Sequence, residues 1–207
     1  MAADGRSKRA PQIPRARAKE LFIEAVIDLL ETLPIAEIPD QLIADTAGIN
    51  RATIYRHFGS RFGLLDAVVA ELTLRWLEIA SELVPTVGSE RADDVEFPLL
   101  RLSPLGQKIF QVAAYLIAGN HDSETFQDSI EKMNSMWIEI LERLGVSPRM
   151  ARALAFKTMA LNLARASSGR IFGVSDDDVA DMQALALIEI SNHEVSAAKL
   201  GWAADDH

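Results

Sequence analysis

The sequence predicts an all-α protein: a small three-helix head built around a helix-turn-helix, then a larger helical body, about nine helices in all. Three observations carry this reading. No segment alternates apolar and polar residues for long enough to make a strand. Apolar residues recur at helical spacing, and Ser, Asp, Pro and Gly fall where helices would start and stop. With 207 residues, 49% hydrophobic and 25% charged, the chain has material for a head plus a body and no mark of global disorder.

The elements follow in order. Leu21, Phe22, Ala25, Val26, Leu29 and Leu30 make one apolar stripe, which predicts a helix over residues 15–32, stopped by Pro34. A short helix over 39–46 follows, with Pro39 at its first turn and Gly48 after its end. A second short helix covers 51–58, with Asn50 as its N-cap, and Gly59-Ser60 breaks it. A long helix then runs over 61–83. Residues 85–98 read as a polar connector, with a short helix near 94–102. Ser103-Pro104 opens a helix to 119, Asp122 or Ser123 one to 144, and Ser147-Pro148 one to 166. Ser175, with three aspartates behind it, opens the last, which is expected to reach residue 202.

The expected organisation is a flexible basic tail (1–14), a helix-turn-helix domain (15–60) and a helical body (61–207). Charge divides in the same way. Residues 1–62 hold nine Lys/Arg against eight Asp/Glu, while the remainder holds 12 against 22. Arg6, Lys8, Arg9, Arg15, Arg17 and Lys19 crowd the first nineteen residues, opposed by Asp4 alone. An acidic body can therefore carry a locally basic head, because charge is screened over about 8–10 Å at physiological salt. The tail reads either as solvated chain or as an arm that touches DNA.

The absence of cysteine excludes disulfides, thiolate metal sites and cysteine nucleophiles, and it suits the cytoplasm. No secretion signal is read at the N-terminus, and the longest mostly apolar stretch, 109–118, is too short to span a membrane. No metal, cofactor or catalytic residues are expected. The four histidines are scattered, and no Gly-x-Ser-x-Gly, His-Glu-x-x-His or Gly-rich phosphate loop occurs. His193-Glu194 reads as an exposed polar face.

The informative stretch is Ile43-Ala44-Asp45-Thr46-Ala47-Gly48-Ile49-Asn50-Arg51-Ala52-Thr53-Ile54-Tyr55-Arg56-His57-Phe58-Gly59-Ser60-Arg61. Ala44 and Ala47 are small enough for two helices to cross closely, and Gly48 permits the turn. Ile43, Ile49, Ile54 and Phe58 would face inward. Such a unit can place its second helix in the DNA major groove. The outward set is then Arg51, Ala52, Thr53, Tyr55, Arg56 and His57. Arginine can donate to guanine edges or phosphates, and Ala52 and the Thr53 methyl can pack on thymine methyls. Tyr55, His57 and Arg61 have the reach for phosphates. The plain alternative is a helical hairpin that happens to expose these groups.

The pattern Ile-Ala-x-x-Ala-Gly-Ile-Asn-x-x-Thr-Ile-Tyr-x-His-Phe-x-x-Arg resembles the DNA-binding signature of TetR-type (tetracycline-repressor-like) transcriptional regulators. The resemblance spans about 55 residues of the head. It implies a body that binds a small-molecule effector and dimerises, and a near-palindromic double-stranded operator. It implies that Tyr55, His57 and Arg61 hold the DNA backbone and that Arg51, Ala52, Thr53 and Arg56 face bases; Asn50, at the helix start, completes the expected DNA-binding set. Two departures stand out. Pro39-Asp40 occupies the place of a Ser or Thr cap, and Phe62-Gly63 follows Arg61 where Glu is common. Neither removes a DNA-facing group from the sequence, and Phe62 is expected to alter how head and body couple.

In the body, Trp76, Phe110, Met133 and Trp137 are candidate lining residues of an apolar effector pocket, with plain core as the alternative. Asn120, His121 and Asn162 are candidate polar anchors or simple caps. Alanines crowd the last two helices (151, 153, 155, 160 and 164; then 180, 184, 186, 197 and 198), which suits a four-helix homodimer interface or close internal packing. The expected function is a DNA-binding transcriptional repressor released by a small apolar ligand. The alternative is a helical adaptor that has lost DNA binding or ligand response.

Overall fold

The computed structural model describes residues 13–83, 103–172 and 176–202. The tail before residue 13, the connector at 85–98 with its short helix, and Ser175 lie outside the described residues. Among those described, every regular element is helical: α1 (Arg15–Leu29), α2 (Asp40–Ala47), α3 (Ala52–Phe58), α4 (Arg61–Leu83), α5 (Pro104–Ala118), α6 (Glu124–Arg143), α7 (Pro148–Phe172), α8 (Asp176–Ser191) and α9 (His193–Lys199). A single turn of 3-10 helix, Ile35–Glu37, joins α1 to α2.

Two of the expected serine caps act as the sequence implies, whereas the Ser147 hydroxyl at the start of α7 is buried without a hydrogen-bond partner. Ser103 and Ser123 each accept a backbone N–H three residues on, at 3.1 Å, satisfying donors that a helix start leaves free. Gly48 ends α2 in the left-handed conformation (φ 66°), which costs glycine little. The start of α4 matches expectation, whereas α1 ends at Leu29, short of residue 32, and the last helices also differ. α7 continues to Phe172 rather than ending at 166. The single final helix is two, broken at Asn192. There the Ile188 carbonyl accepts both the Asn192 backbone N–H, at 3.0 Å, and its side-chain amide, at 2.8 Å.

α4, α5, α7 and α6 pack around a square, each on its neighbour, as a four-helix bundle. α1 and α3 pack on α4, and α2 packs on α1. One apolar core runs through both parts. Phe22, Ile43, Ile54, Leu64 and Leu65 are fully buried in the head, and Val68 and Leu72 carry the core on to Ile109, Leu116, Met133 and Ile140. Two ion pairs also tie the head outward, Glu24 of α1 with Arg75 of α4, and Glu31, just past α1, with Lys108 of α5. Lys108 is buried, so its ammonium depends on that partner.

Candidate nucleic-acid interface

α2 and α3 meet at the Gly48 turn. The Asn50 carboxamide oxygen accepts the Ala52 N–H at 2.8 Å, so Asn50 caps α3 as expected. Ile43, Ala44 and Ile54 are buried beneath the crossing, and Ile49 and Phe58 are half-buried. Phe58 meets the edge of Phe22 at 6.3 Å, and the Lys19 ammonium lies 5.5 Å from the Phe58 ring centroid. These contacts anchor α3, which is too short to hold its direction alone.

The helical period then separates two arcs. Positions 53, 54, 57 and 58 are buried or half-buried, while Arg51, Ala52, Tyr55 and Arg56 are exposed. Thr53 therefore corrects the sequence reading. It is only 9% exposed, because it neighbours Ile54 on the helix wheel and shares its inward side. His57 stands at the margin. Its imidazole is held below its usual range by partial removal from water and by the nearby cations Arg56, Arg15 and Lys19. It is thus a neutral donor at neutral pH, set in a cationic patch that joins α3 to the start of α1.

Tyr55 and Arg61 are placed differently from the rest. The Tyr55 hydroxyl donates to Asp40 Oδ2 at 2.5 Å. Arg61 Nη1 donates to Asp40 Oδ1 at 2.7 Å, and Nη2 to the Ile35 carbonyl at 3.0 Å. One carboxylate at the start of α2 therefore gathers α3, α4 and the 3-10 turn. Burial alone would raise the Asp40 pKa; the hydrogen bonds from Tyr55 and Arg61 outweigh it and hold the group below the usual carboxylate value. In turn, the bond to Asp40 pushes the Tyr55 phenol above its usual value. Sequence reasoning noted Asp40 only as an unusual cap. Its role depends on partners 15 and 21 positions away, beyond any local pattern.

The first turn of α4 also contacts the body. Phe62 stacks on His121 (centroids 5.0 Å apart, planes at 23°) and tilts against Tyr115 at 6.2 Å. The His121 Nε2 hydrogen-bonds Asp66 Oδ2 at 2.9 Å, and Asp66 is buried. Phe62 is accommodated because Gly119 lacks a side chain: a Cβ there would lie 2.7 Å from Phe62 Cζ. His121, weighed as a pocket anchor or a cap, is instead part of this joint, whereas Asn120 is exposed.

The four candidate pocket residues are all buried, and Trp76 and Trp137 pack with centroids 6.1 Å apart. The recess beside Trp137, lined also by Leu141, Leu154, Thr158, Met182 and Ile190, holds about 30 Å³. That is on the order of one or two waters, well short of a ligand-sized cavity. The alanines divide. Ala151 and Ala155 face the protein's own core, whereas Ala160, Ala164, Ala184 and Ala198 are exposed. His193 is half-buried, its Nδ1 2.8 Å from the Ile190 carbonyl, rather than part of an exposed face. Among the described residues, no His, Cys, Asp or Glu cluster could hold a metal ion, and no helix is long and apolar enough to cross a membrane.

The two helices and their turn can be compared with known proteins at this point. Residues 41–68 match the family described as bacterial regulatory proteins, tetR family. The helix-turn-helix is of the tetR type. No curated protein matches the sequence. Among solved structures, a protein assigned to the TetR family of transcriptional regulators from Mesorhizobium loti superposes with a TM-score of 0.59 at 16% identity, covering 90% of this chain and 98% of that one. AlkX, a TetR family repressor from Dietzia implicated in biodegradation of n-alkanes, gives a TM-score of 0.48 at 16% identity, with the same coverages. The first likeness establishes the fold, which continues through the body. The tetR-type head connects that fold to DNA-binding transcription regulation.

Proposed function

We propose that the protein is a sequence-specific transcriptional regulator that binds a near-palindromic operator as a homodimer and leaves it when an apolar ligand enters the body. The observation that carries this reading is the exposed arc Arg51, Ala52, Tyr55 and Arg56 on a tetR-type second helix, flanked by the cations around His57. Arg51, Arg56 and Ala52 read base edges, His57 contributes to backbone contact, and Asn50 fixes the helix start. Thr53 acts through packing. No step in this function needs a catalytic group, metal or cofactor. A regulator of this kind works where the DNA lies, in the cytoplasm.

Dimerisation supplies two recognition helices, which must sit about 34–36 Å apart to read successive major-groove turns. The apolar side chains left in the open on the last long helices support an interface there. Phe156 of α7 is 74% exposed, and Leu185 and Ile188 of α8 are 59% and 57% exposed. Lys157 pairs with Glu189, holding α7 and α8 together as one surface. For the ligand, Trp76, Phe110, Met133 and Trp137 would part to widen the present recess. Movement of α4 would then reach the head through Phe62, His121 and Asp66. A ligand shifts this balance only by preferring one arrangement.

A helical adaptor without DNA binding is the second reading. One observation favours it: the hydroxyl of Tyr55 and the guanidinium of Arg61 are both engaged within the protein. A gel shift against the DNA flanking the protein's own gene separates the two. The regulator reading expects a discrete complex that survives excess random DNA. No complex at low salt, from a folded dimer, would establish the adaptor instead.

A further inference from the structure

Tyr55 and Arg61 have the length and donors for DNA phosphates, yet both donate to one anion of the protein itself. Tyr55 has a single hydroxyl proton, and Asp40 holds it at 2.5 Å. Arg61 spends one terminal nitrogen on Asp40 and the other on the Ile35 carbonyl, with its guanidinium carbon 5.5 Å from the Tyr115 ring centroid. The Arg61 side chain is 20% exposed and that of Asp40 14%, while Tyr55 is 45% exposed, so the pairing is shielded at Arg61 and open at Tyr55. A carboxylate presents two oxygens to the same charged and neutral donors that a phosphate diester would use. We infer that Asp40 is a built-in competitor for DNA phosphate: its carboxylate keeps Tyr55 and Arg61 self-paired, and the DNA backbone must displace it to engage them.

This rests on the DNA-binding reading above and gives it a setting. The intrinsic strength of two backbone contacts is reduced by the bonds they must first surrender. Such a device lowers affinity for all DNA alike, because phosphates carry no sequence. Base-reading Arg51 and Arg56 then contribute a larger share of the discrimination. The carboxylate remains ionised at neutral pH, so the competition is always present.

The test compares full-length wild type with Asp40→Asn, Tyr55→Phe and the double variant, by fluorescence anisotropy on a cognate duplex and on random DNA. Circular dichroism melts establish that each is folded; asparagine keeps an acceptor for the same donors. Asp40→Asn is expected to tighten binding to both duplexes by about tenfold, the size of a charge-assisted hydrogen bond released. Asp45→Asn, an equal loss of charge on the exposed side of the same helix, measures the general electrostatic effect and should change binding by no more than about threefold. Tyr55→Phe should cost little in wild type, where the bond to Asp40 and the bond to phosphate offset each other. In the Asp40→Asn background it should cost more.

The opposite pattern overturns the inference. If Asp40 instead aims these donors at DNA, Asp40→Asn weakens binding, and Tyr55→Phe costs more in wild type than in the Asp40→Asn protein. An Asp40→Asn gain no larger than that of Asp45→Asn overturns it as well. Tyr55→Phe alone, which removes one oxygen and leaves the fold intact, decides the matter if Asp40→Asn melts: a loss of tenfold or more in wild type refutes the competition. Binding by wild type with any of these reversals sinks the role of Asp40 alone. Absence of binding by every folded variant sinks the DNA-binding reading with it.

Discussion

Replacing Gly63 by alanine measures how tightly α3 is braced against α4. Gly63 lies in the first turn of α4, and its N–H is capped by the Ser60 hydroxyl at 3.0 Å. A Cβ at this position would sit 2.1 Å from the Phe58 carbonyl oxygen and 3.2 Å from its carbon. Both obstructing atoms are backbone, so no rotamer change relieves the clash. The end of α3 and the start of α4 must separate by about 1 Å, disturbing Phe58 against Phe22. Overpacking of this kind costs about 3 kcal/mol at the upper end of its usual range, and alanine returns about 1 kcal/mol of helix propensity. A net loss of about 2 kcal/mol is expected. Gly48→Ala is the control. Nothing lies within 4 Å of its Cβ, and the cost is that of a left-handed backbone, about 1 kcal/mol. Urea unfolding followed by circular dichroism gives both values, and anisotropy on the operator reads the tilt of α3 separately. If Gly63→Ala is no more destabilising than Gly48→Ala and binds DNA as wild type does, the brace is not there.

Three further outcomes follow from the surfaces and charges described. Arg51→Ala should lose about 1–3 kcal/mol of discrimination at particular base pairs; equal losses on operator and random DNA would remove its base-reading role. Phe156→Glu or Ile188→Glu should leave a folded monomer in sedimentation runs, whereas an unchanged dimer would move the interface elsewhere. The hydrogen bonds from Tyr55 and Arg61 outweigh burial and hold the Asp40 carboxyl below the usual carboxylate value, so its contribution to stability is full above that value and is lost as the pH falls through the lower folded one. Urea midpoints collected below about pH 4 should therefore fall more steeply for wild type than for Asp40→Asn. Parallel curves would contradict the bond network at Asp40.

Much of the fold was open to inspection in the sequence because its signals are local. Caps at Ser103 and Ser123, the glycine at 48 and the helical period of α4 each act within a turn or two of their own position. The differences fall where residue type and local pattern do not decide the surroundings. The apolar period runs on past Asn192, where the helix divides, so the break carries no local signal. Residue type assigns Thr53 to solvent, although its angular position beside Ile54 buries it. At the candidate interface, the residue types of α3 were readable, including Asn50 as cap. The present partners of Tyr55 and Arg61 were not, since they come from the start of α2 and from the Ile35 turn. The alanines of α7 divided between core and surface for a similar reason: small size permits close packing without saying against what.

The core that passes without interruption along α4 has a consequence for how the molecule opens. Leu64, Leu65, Val68 and Leu72 belong to the same cluster as Phe22 and Ile54 on one side and Leu116 and Ile140 on the other. The limit drawn at residue 60 divides roles, then, and not cooperative units. A fragment ending there would leave the undersides of α1 and α3 facing water, and hydrogen exchange in the intact chain should report head and bundle opening together. An operator that clamps the head would, by the same connection, slow exchange deep in the bundle without touching it.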